Sequence, residues 1–320
     1  MRTSLFIITL FLSTLLQAQP TSKPGQRVQV ADLSLLIPGM DNDTTPAPEF
    51  FYAFEAGDAV MLDITMDNAS GTNDLLVSNY PGGLEVHHER ALPSMSIQRF
   101  KIRERGIYRI TLSTKHAADR DALIKVWRKP AIATTQEFNC NVVWKKIYTT
   151  EQVCEQQAFF VNSVTNLTGK TRTALPVTLP PNTVEWYYRF SASREQGDVD
   201  RVRKSAGLVV ELLAGLATGG ASSILPSDLS TMLLKPPGAN NCDIYLLDQK
   251  NYSPFISKAQ FTSIGDGTRE NFKSGNVRVT CCPSGQYYLG IRNSDSMHGI
   301  HVFLDVVAIT AVEDWVMETN

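Results

Sequence analysis

The stretch DNASGTND (67–74) concentrates groups that could do chemistry: Asp67, Asn68, Ser70, Asn73 and Asp74 gather hard oxygen donors around Gly71. Such a set suits Ca²⁺, although its spacing is not that of the helix-loop-helix calcium motif. Asn, Asp, Ser and Gly are also the residues a hairpin turn requires, so the composition reads first as a polar turn and second as a calcium site. No other cofactor is implied. His87-His88 and His298…His301 invite a zinc reading, yet they stand beside strand and turn residues with no third ligand placed near them. VTNLTGKT (164–171) ends like a phosphate-binding loop, but Val164 stands where that loop needs Gly, and no strand-then-helix pattern flanks it. The chain has neither a Gly-x-Ser-x-Gly elbow nor His-Glu-x-x-His. Carboxylates are plentiful, and sequence alone sets no two of them across a cleft. The expectation is a protein without enzymatic activity.

Redox chemistry rests on Cys140, Cys154, Cys242, Cys281 and Cys282. The first twenty residues, MRTSLFIITLFLSTLLQAQP, have the parts of a secretory signal: Arg2, an apolar run from Leu5 to Leu16, and Gln17-Ala18 as a small-residue cleavage site. Cleavage after Ala18 predicts a secreted or periplasmic protein in which disulfides are chemically accessible. An odd count leaves one thiol over. Cys140–Cys154 and Cys242 with Cys281 or Cys282 are the candidate bridges; adjacent cysteines on a strand point to opposite faces, so only one of the last two can face Cys242. The charge is nearly balanced, 30 Lys and Arg against 32 Asp and Glu for a net of -2. Without a concentrated basic face, nucleic acid is not an expected partner.

The elements that must carry these residues are short strands. Val60, Leu62, Ile64 and Met66 alternate with Asp63, Thr65 and Asp67, as a half-buried strand requires. A larger pattern repeats. RERGIYRITLS (103–113) and CPSGQYYLGIR (282–292) each place a turn Gly before apolar residues at period two: Tyr108, Ile110, Leu112 and Tyr287, Leu289, Ile291. Gly106 and Gly285 are read as permitting the tight turn. EFFYAFEAGD (49–58) parallels EWYYRFSAS (185–193), NDLLVS (73–78) parallels CDIYLL (242–247), and ALIKVWR (122–128) parallels IHVFLDVVAI (300–309). This predicts a duplicated, mainly β chain: two β-sandwich, jelly-roll-like domains in tandem, the second with a helical hairpin insertion. The boundaries read as a signal peptide at 1–18, an N-terminal β-sandwich at 19–130, a strand-rich connector at 131–181, and a C-terminal β-sandwich at 182–320 with the insertion at about 198–238.

The pattern FYAFEAGD…NDLLV…RERGIYRITL resembles the β-sandwich modules of the bacterial pre-peptidase C-terminal type, found beside secreted bacterial hydrolases. The resemblance covers about 49–128 and, more weakly, 182–309. FNCNVVW…LPPNTVEWYYRFS, followed by a helical insert, further resembles a group of secreted bacterial proteins. These motifs imply fold far more than function, and no peptidase domain accompanies them here.

The insertion, KSAGLVVELLAGLATGGASSILP (204–226), stands apart as Gly/Ala-rich and apolar. Asp198 is placed as the N-cap, and Val199, Val202, Ala206, Val209, Val210, Leu213 and Ala217 form one apolar stripe at helical spacing. Gly219-Gly220 stops that helix, and a shorter one runs from Ser227 through Leu234 before Pro236-Pro237. A membrane span would need about 20 unbroken apolar residues, and this run is broken by Glu211, a Gly pair and a Ser pair. A packed hairpin is therefore expected; the alternative is an apolar arm that engages lipid or a partner. Altogether the sequence predicts an exported non-catalytic binding or structural protein of the bacterial envelope or extracellular space, recognising glycan or a partner protein. Its rivals are a secreted hydrolase with a site in the inter-domain cleft and a membrane-active protein using the insertion.

Overall fold

The computed structural model describes residues 25–41, 45–67, 72–166, 169–204 and 241–318. The stretch 1–18, read above as a signal sequence, lies outside these residues, as does the segment expected as an insertion beyond Lys204.

Strand order defines the architecture. In the first half, β1 (Val28–Ile37), β3 (Ala59–Met66), β6 (Met95–Lys101) and β8 (Arg120–Lys129) form one sheet in the order β1-β8-β3-β6. Its companion contains β2 (Glu49–Phe54), β4 (Asn73–Tyr80), β5 (Glu85–Leu92) and β7 (Gly106–Thr114), in the order β2-β7-β4-β5. Every described pairing is antiparallel, and the interleaved order of two four-stranded sheets is that of a jelly roll.

The second half repeats this order strand for strand. It comprises β9 (Val142–Val161), β10 (Arg172–Thr178), β11 (Thr183–Ser193), β12 (Cys242–Leu247), β13 (Arg269–Phe272), β14 (Ser274–Val279), β15 (Gln286–Asn293) and β16 (Ile300–Met317). The sheets run β9-β16-β11-β14 and β10-β15-β12-β13, so each strand takes the place of the one eight positions earlier. The expected pair of jelly-roll-like sandwiches is what the chain builds.

The duplication corrects two details of the sequence reading. Three of the four matched segments pair as expected: β4 with β12, β7 with β15 and β8 with β16. The fourth is shifted by one strand. EWYYRFSAS belongs to β11, which hydrogen-bonds to β16 and so is the counterpart of β3, whereas EFFYAF is β2. Both strands are aromatic-rich because both face a core, and that shared composition disguised the offset. The counterpart of β2 is β10, inside the segment read as a connector. That segment, 131–181, is divided: the chain up to Trp144 belongs to the first compact unit, and Lys145–Asp314 to the second. From this stretch β9 and β10 supply one strand to each sheet of the second roll.

Each roll encloses its own core. Val60, Leu62, Ile64 and Met66 are buried in the first with Leu75, Val77, Tyr108, Ile110, Leu112, Ile124 and Val126. The second core holds Trp186, Tyr188, Phe190, Ile244, Leu246, Leu289, Ile291, Val302 and Leu304. Polar fastenings differ between the two. In the first, Arg128 and Asp58 form a buried ion pair at 2.5 Å, 1 % and 0 % exposed, and Arg128 also donates to the carbonyls of Thr135, Gln136 and Phe138. Thus β8 is tied to the chain that follows it. In the second, Trp186 Nε1 donates to the Cys282 carbonyl at 3.1 Å from inside an apolar core. Residues 315–318 are fastened to the first unit: Trp315 stacks on Phe51 at 4.9 Å, Trp144 meets it edge-on at 5.4 Å, and Glu318 N donates to the Asn141 carbonyl.

Two helices are described. In α1 (Gln196–Lys204) Asp198 sits in the first turn rather than capping it; Ser193 Oγ donates to Asp198 and accepts from Glu195 N ahead of the helix. Val199 is buried at 1 %, Val202 is half-buried, and Val209, Val210 and Leu213 lie outside the described residues. The other helix, α2 (Gln249–Ile256), has Asp248 as N-cap, accepting from Asn251 N at 2.9 Å. It packs with Phe255, Tyr245, Leu247 and Tyr288 on the outer face of the β10-β15-β12-β13 sheet, so β12 is buried on both sides. No helix among the described residues is long and apolar enough to cross a membrane.

Candidate functional site

Among the described residues, a pocket of about 600 Å³ in the first jelly roll is lined by Asn79, Leu84, Glu85, Val86, Lys101, Ile102, Arg103, Glu104 and Tyr108. Its walls come from two turns at one end of the sandwich, β4–β5 and β6–β7. The first, NYPGGL (79–84), is pinned by Asn79, whose Oδ1 accepts from Leu84 N at 2.6 Å while its backbone N–H donates to the Leu84 carbonyl at 2.9 Å. Gly83 takes φ +71 there, a backbone region glycine occupies without strain, and the Tyr80-Pro81 peptide is cis. On the other wall, Ile102 N donates to the Asp58 carbonyl and Tyr108 Oη donates to the Glu104 carbonyl at 2.6 Å.

These bonds give the pocket an apolar floor and a polar rim. Ile102 is 2 % exposed and Tyr108 3 %, whereas Lys101, Arg103, Glu104 and Glu85 are exposed and Leu84 stands out at 70 %. Burial holds the Tyr108 phenol above its usual pKa, with the Glu104 charge adding to the effect, so the phenol remains a neutral donor at physiological pH. Two cations, Lys101 and Arg103, and two carboxylates, Glu85 and Glu104, line the pocket. The lining contains donors and acceptors over an apolar base, and no Ser, Cys or His that could act as nucleophile.

The residues singled out in the sequence lie elsewhere. Among the calcium candidates, Asn68 and Ser70 fall outside the described residues. Asp67 Oδ1 accepts from Asp121 N at 2.9 Å, and Asp74 Oδ1 accepts from Ala91 N while its carboxylate pairs with Lys115 at 3.3 Å. Asn73 is buried, donating to the Leu92 carbonyl and accepting from Arg120 Nη1 at 3.2 Å. Asn73 and Asp74 are neighbours on β4 and so face opposite sides of the sheet. A guanidinium at hydrogen-bonding distance also makes the Asn73 site unfavourable for a cation. The described members fasten strands to one another.

All five cysteines are free thiols, so neither expected bridge is formed. Cys140 packs in the first core and Cys154 against the second, which separates that pair by core. Cys242 is fully buried among apolar side chains, which raises its thiol pKa; burial lifts Cys140 and Cys154 to about 11. Burial, together with Cys282 and Asp266, raises exposed Cys281 to about 12. His87 is engaged by Gln98 at 3.1 Å, and His88 by Glu85 at 3.3 Å. The described residues of the phosphate-loop look-alike, 164–166 and 169–171, lie between β9 and β10, with Gly169 N donating to Asn166 Oδ1. Apart from Tyr108, read as a core residue, the pocket residues were not singled out in the sequence, because the two turns meet only through β4–β7 and β3–β6 pairing.

No protein family matches the chain, and no curated protein does. Likenesses among solved structures are remote. PNGase F, a glycosylasparaginase from Flavobacterium meningosepticum, shares 10 % identity over 89 % of this chain and 99 % of that one, with a TM-score of 0.23. The M60 catalytic domain with the CBM51-1 and CBM51-2 domains from Clostridium perfringens ZmpB shares 7 % over 82 % of this chain and 33 % of that one, at 0.22. The CBM22-1-CBM22-2 tandem domain of Paenibacillus barcinonensis Xyn10C shares 8 % over 84 % and 83 %, at 0.21. At these scores the likenesses carry no argument; the fold assignment rests on strand order.

Proposed function

We propose that this is an exported, non-catalytic binding protein whose first jelly roll takes a neutral glycan in the pocket between the β4–β5 and β6–β7 turns. One observation carries the reading: the lining is charge-balanced and holds both donors and acceptors, beside the apolar surface of Val86 and Ile102. Vicinal sugar hydroxyls need both donors and acceptors, and a sugar ring's C–H face needs an apolar surface. The volume lies within the range of about 300–1,000 Å³ usual for small-molecule sites. Export rests on the signal sequence, and kinship with the pre-peptidase C-terminal modules rests on the strands within about 49–128 and, more weakly, 182–309; both belong to the same proposal.

Glu85 and Glu104 in one pocket support a second reading, a glycan hydrolase, since such enzymes work with two carboxylates. A glycan array combined with a hydrolase panel separates the two. Binding without turnover, lost in Lys101→Ala/Arg103→Ala, is expected. Turnover that Glu104→Gln abolishes would overturn the non-enzyme reading.

A further inference from the structure

The second jelly roll sets two arginines side by side. Arg172 on β10 lies directly opposite Arg292 on β15, and Arg292 lies opposite Asp243 on β12. Like charges facing each other across a sheet are destabilising. Asp243 answers only one of them: it accepts from Arg292 Nε at 2.8 Å and from Asn271 N at 2.7 Å. Arg172 has no carboxylate partner among the described residues. One Nη donates to the Phe255 carbonyl at 2.8 Å, and the guanidinium sits 5.2 Å from the Phe255 ring and 5.7 Å from that of Phe261. These contacts aim the fork of a cation that burial and Arg292 both disfavour, lowering its pKa.

Lys258 completes the group. It follows α2 at φ +62, a left-handed position that glycine occupies without strain and that a lysine is not the obvious residue to fill. Its exposed ammonium also has no carboxylate partner among the described residues. With Thr171 and Ser294, the three cationic residues line a pocket of about 240 Å³. Three positive charges less the one on Asp243 leave two. The nearby Asp295 does not reduce this, because Arg194 holds it at 2.5 Å.

We infer that this pocket is an oxyanion site that takes a phosphate monoester group, free or carried on a small polar molecule, with Arg172 and Lys258 as its principal ligands. A phosphate monoester carries about -1.5 to -2 at neutral pH and presents three strong acceptor oxygens. That matches the excess charge, where a carboxylate or a phosphodiester leaves one cation unanswered. The planar fork of Arg172 and the three donors of Lys258 suit tetrahedral oxygens. This site is separate from the pocket of the first roll and does not depend on the glycan reading.

Calorimetry on the full chain, with inorganic phosphate and glucose 6-phosphate at an ionic strength balanced with chloride, tests the assignment. Both probes are expected to bind and to raise the melting temperature, while dimethyl phosphate, a monoanionic diester, does neither. Lys258→Gln removes an exposed side chain without touching either core and is expected to weaken binding about tenfold, the loss of one charge-assisted hydrogen bond. Arg172→Gln is expected to abolish it. Absence of any response beyond chloride, equal binding by Lys258→Gln, or equal binding of dimethyl phosphate would each overturn the inference.

Discussion

The two jelly rolls share a strand order and differ in what joins the strands. Between β3 and β4 the first roll has six residues, 67–72, where the second has everything from 194 to 241. Between β4 and β5 the first makes the four-residue turn 81–84, where the second makes α2 and the loop to 268. The short turns of the first roll shape a charge-balanced pocket. The long connection of the second covers the outer face of β12 and brings Lys258 to two arginines. The sheets are scaffolding held in common, and the connections decide which side chains gather beside them, as Lys258 does beside Arg172 of β10 and Arg292 of β15.

The largest expected effects test how each roll is fastened. Asp58→Ala leaves Arg128 buried without its counter-charge and is expected to cost about 3–5 kcal/mol. Trp186→Ala opens a cavity in the second core and releases the Cys282 carbonyl, at a cost of about 3–5 kcal/mol. Equilibrium urea unfolding measures both. Replacing both Asp58 and Arg128 by apolar residues sharpens the contrast: the first roll should recover much of the loss, since a buried pair removed whole can be neutral, and no partner change rescues Trp186→Ala.

A smaller effect separates the equivalent strands β7 and β15. Gly285 holds φ +103, whereas Gly106 lies outside the left-handed region and an added Cβ there meets nothing. Gly285→Ala is therefore expected to cost about 1–2 kcal/mol, and Gly106→Ala to be neutral or stabilising by about 0.4–1 kcal/mol. Equal costs would show that the two turns are built alike.

That pair also shows how much was legible. Period-two alternation gave the core faces of β3, β7 and β15, because burial on one face imposes it directly. The Gly-x-Tyr repeat located both strands but not the difference in φ, since glycine is tolerated in either conformation. β9 and β10 were expected only as strands of a connector, and their place in the second roll was hidden: β9 runs for twenty residues at a sheet edge, its apolar residues interrupted by Lys145, Lys146 and the run Thr149–Gln152, so neither period stands out. α2 had a signal in the Asp248-x-x-Asn251 cap, which Pro254 obscured. Neither pocket was visible, because Lys101 and Glu85 line one pocket through strands that pair with different neighbours, and Arg172 meets Arg292 only through strand pairing across a long separation in sequence.

The smallest expected effect concerns thiols. Cys281 is the exposed one of the five and should be labelled first by iodoacetamide in the native protein, with Cys242 protected until unfolding. Because burial and its neighbours hold Cys281 at about 12, labelling is slow at neutral pH and accelerates as pH rises toward that value. A disulfide at Cys242 in non-reducing peptide maps would contradict the free-thiol core.

The division of labour between the two rolls is tested most directly by one array carrying matched neutral and phosphorylated oligosaccharides, probed with the wild-type chain, Lys101→Ala/Arg103→Ala and Lys258→Gln. The account expects the first variant to lose the neutral glycans while keeping response to the phosphate, and the second to lose the phosphate response while keeping the neutral glycans. Loss of both ligand classes in either folded variant, or of neither in both, would contradict it.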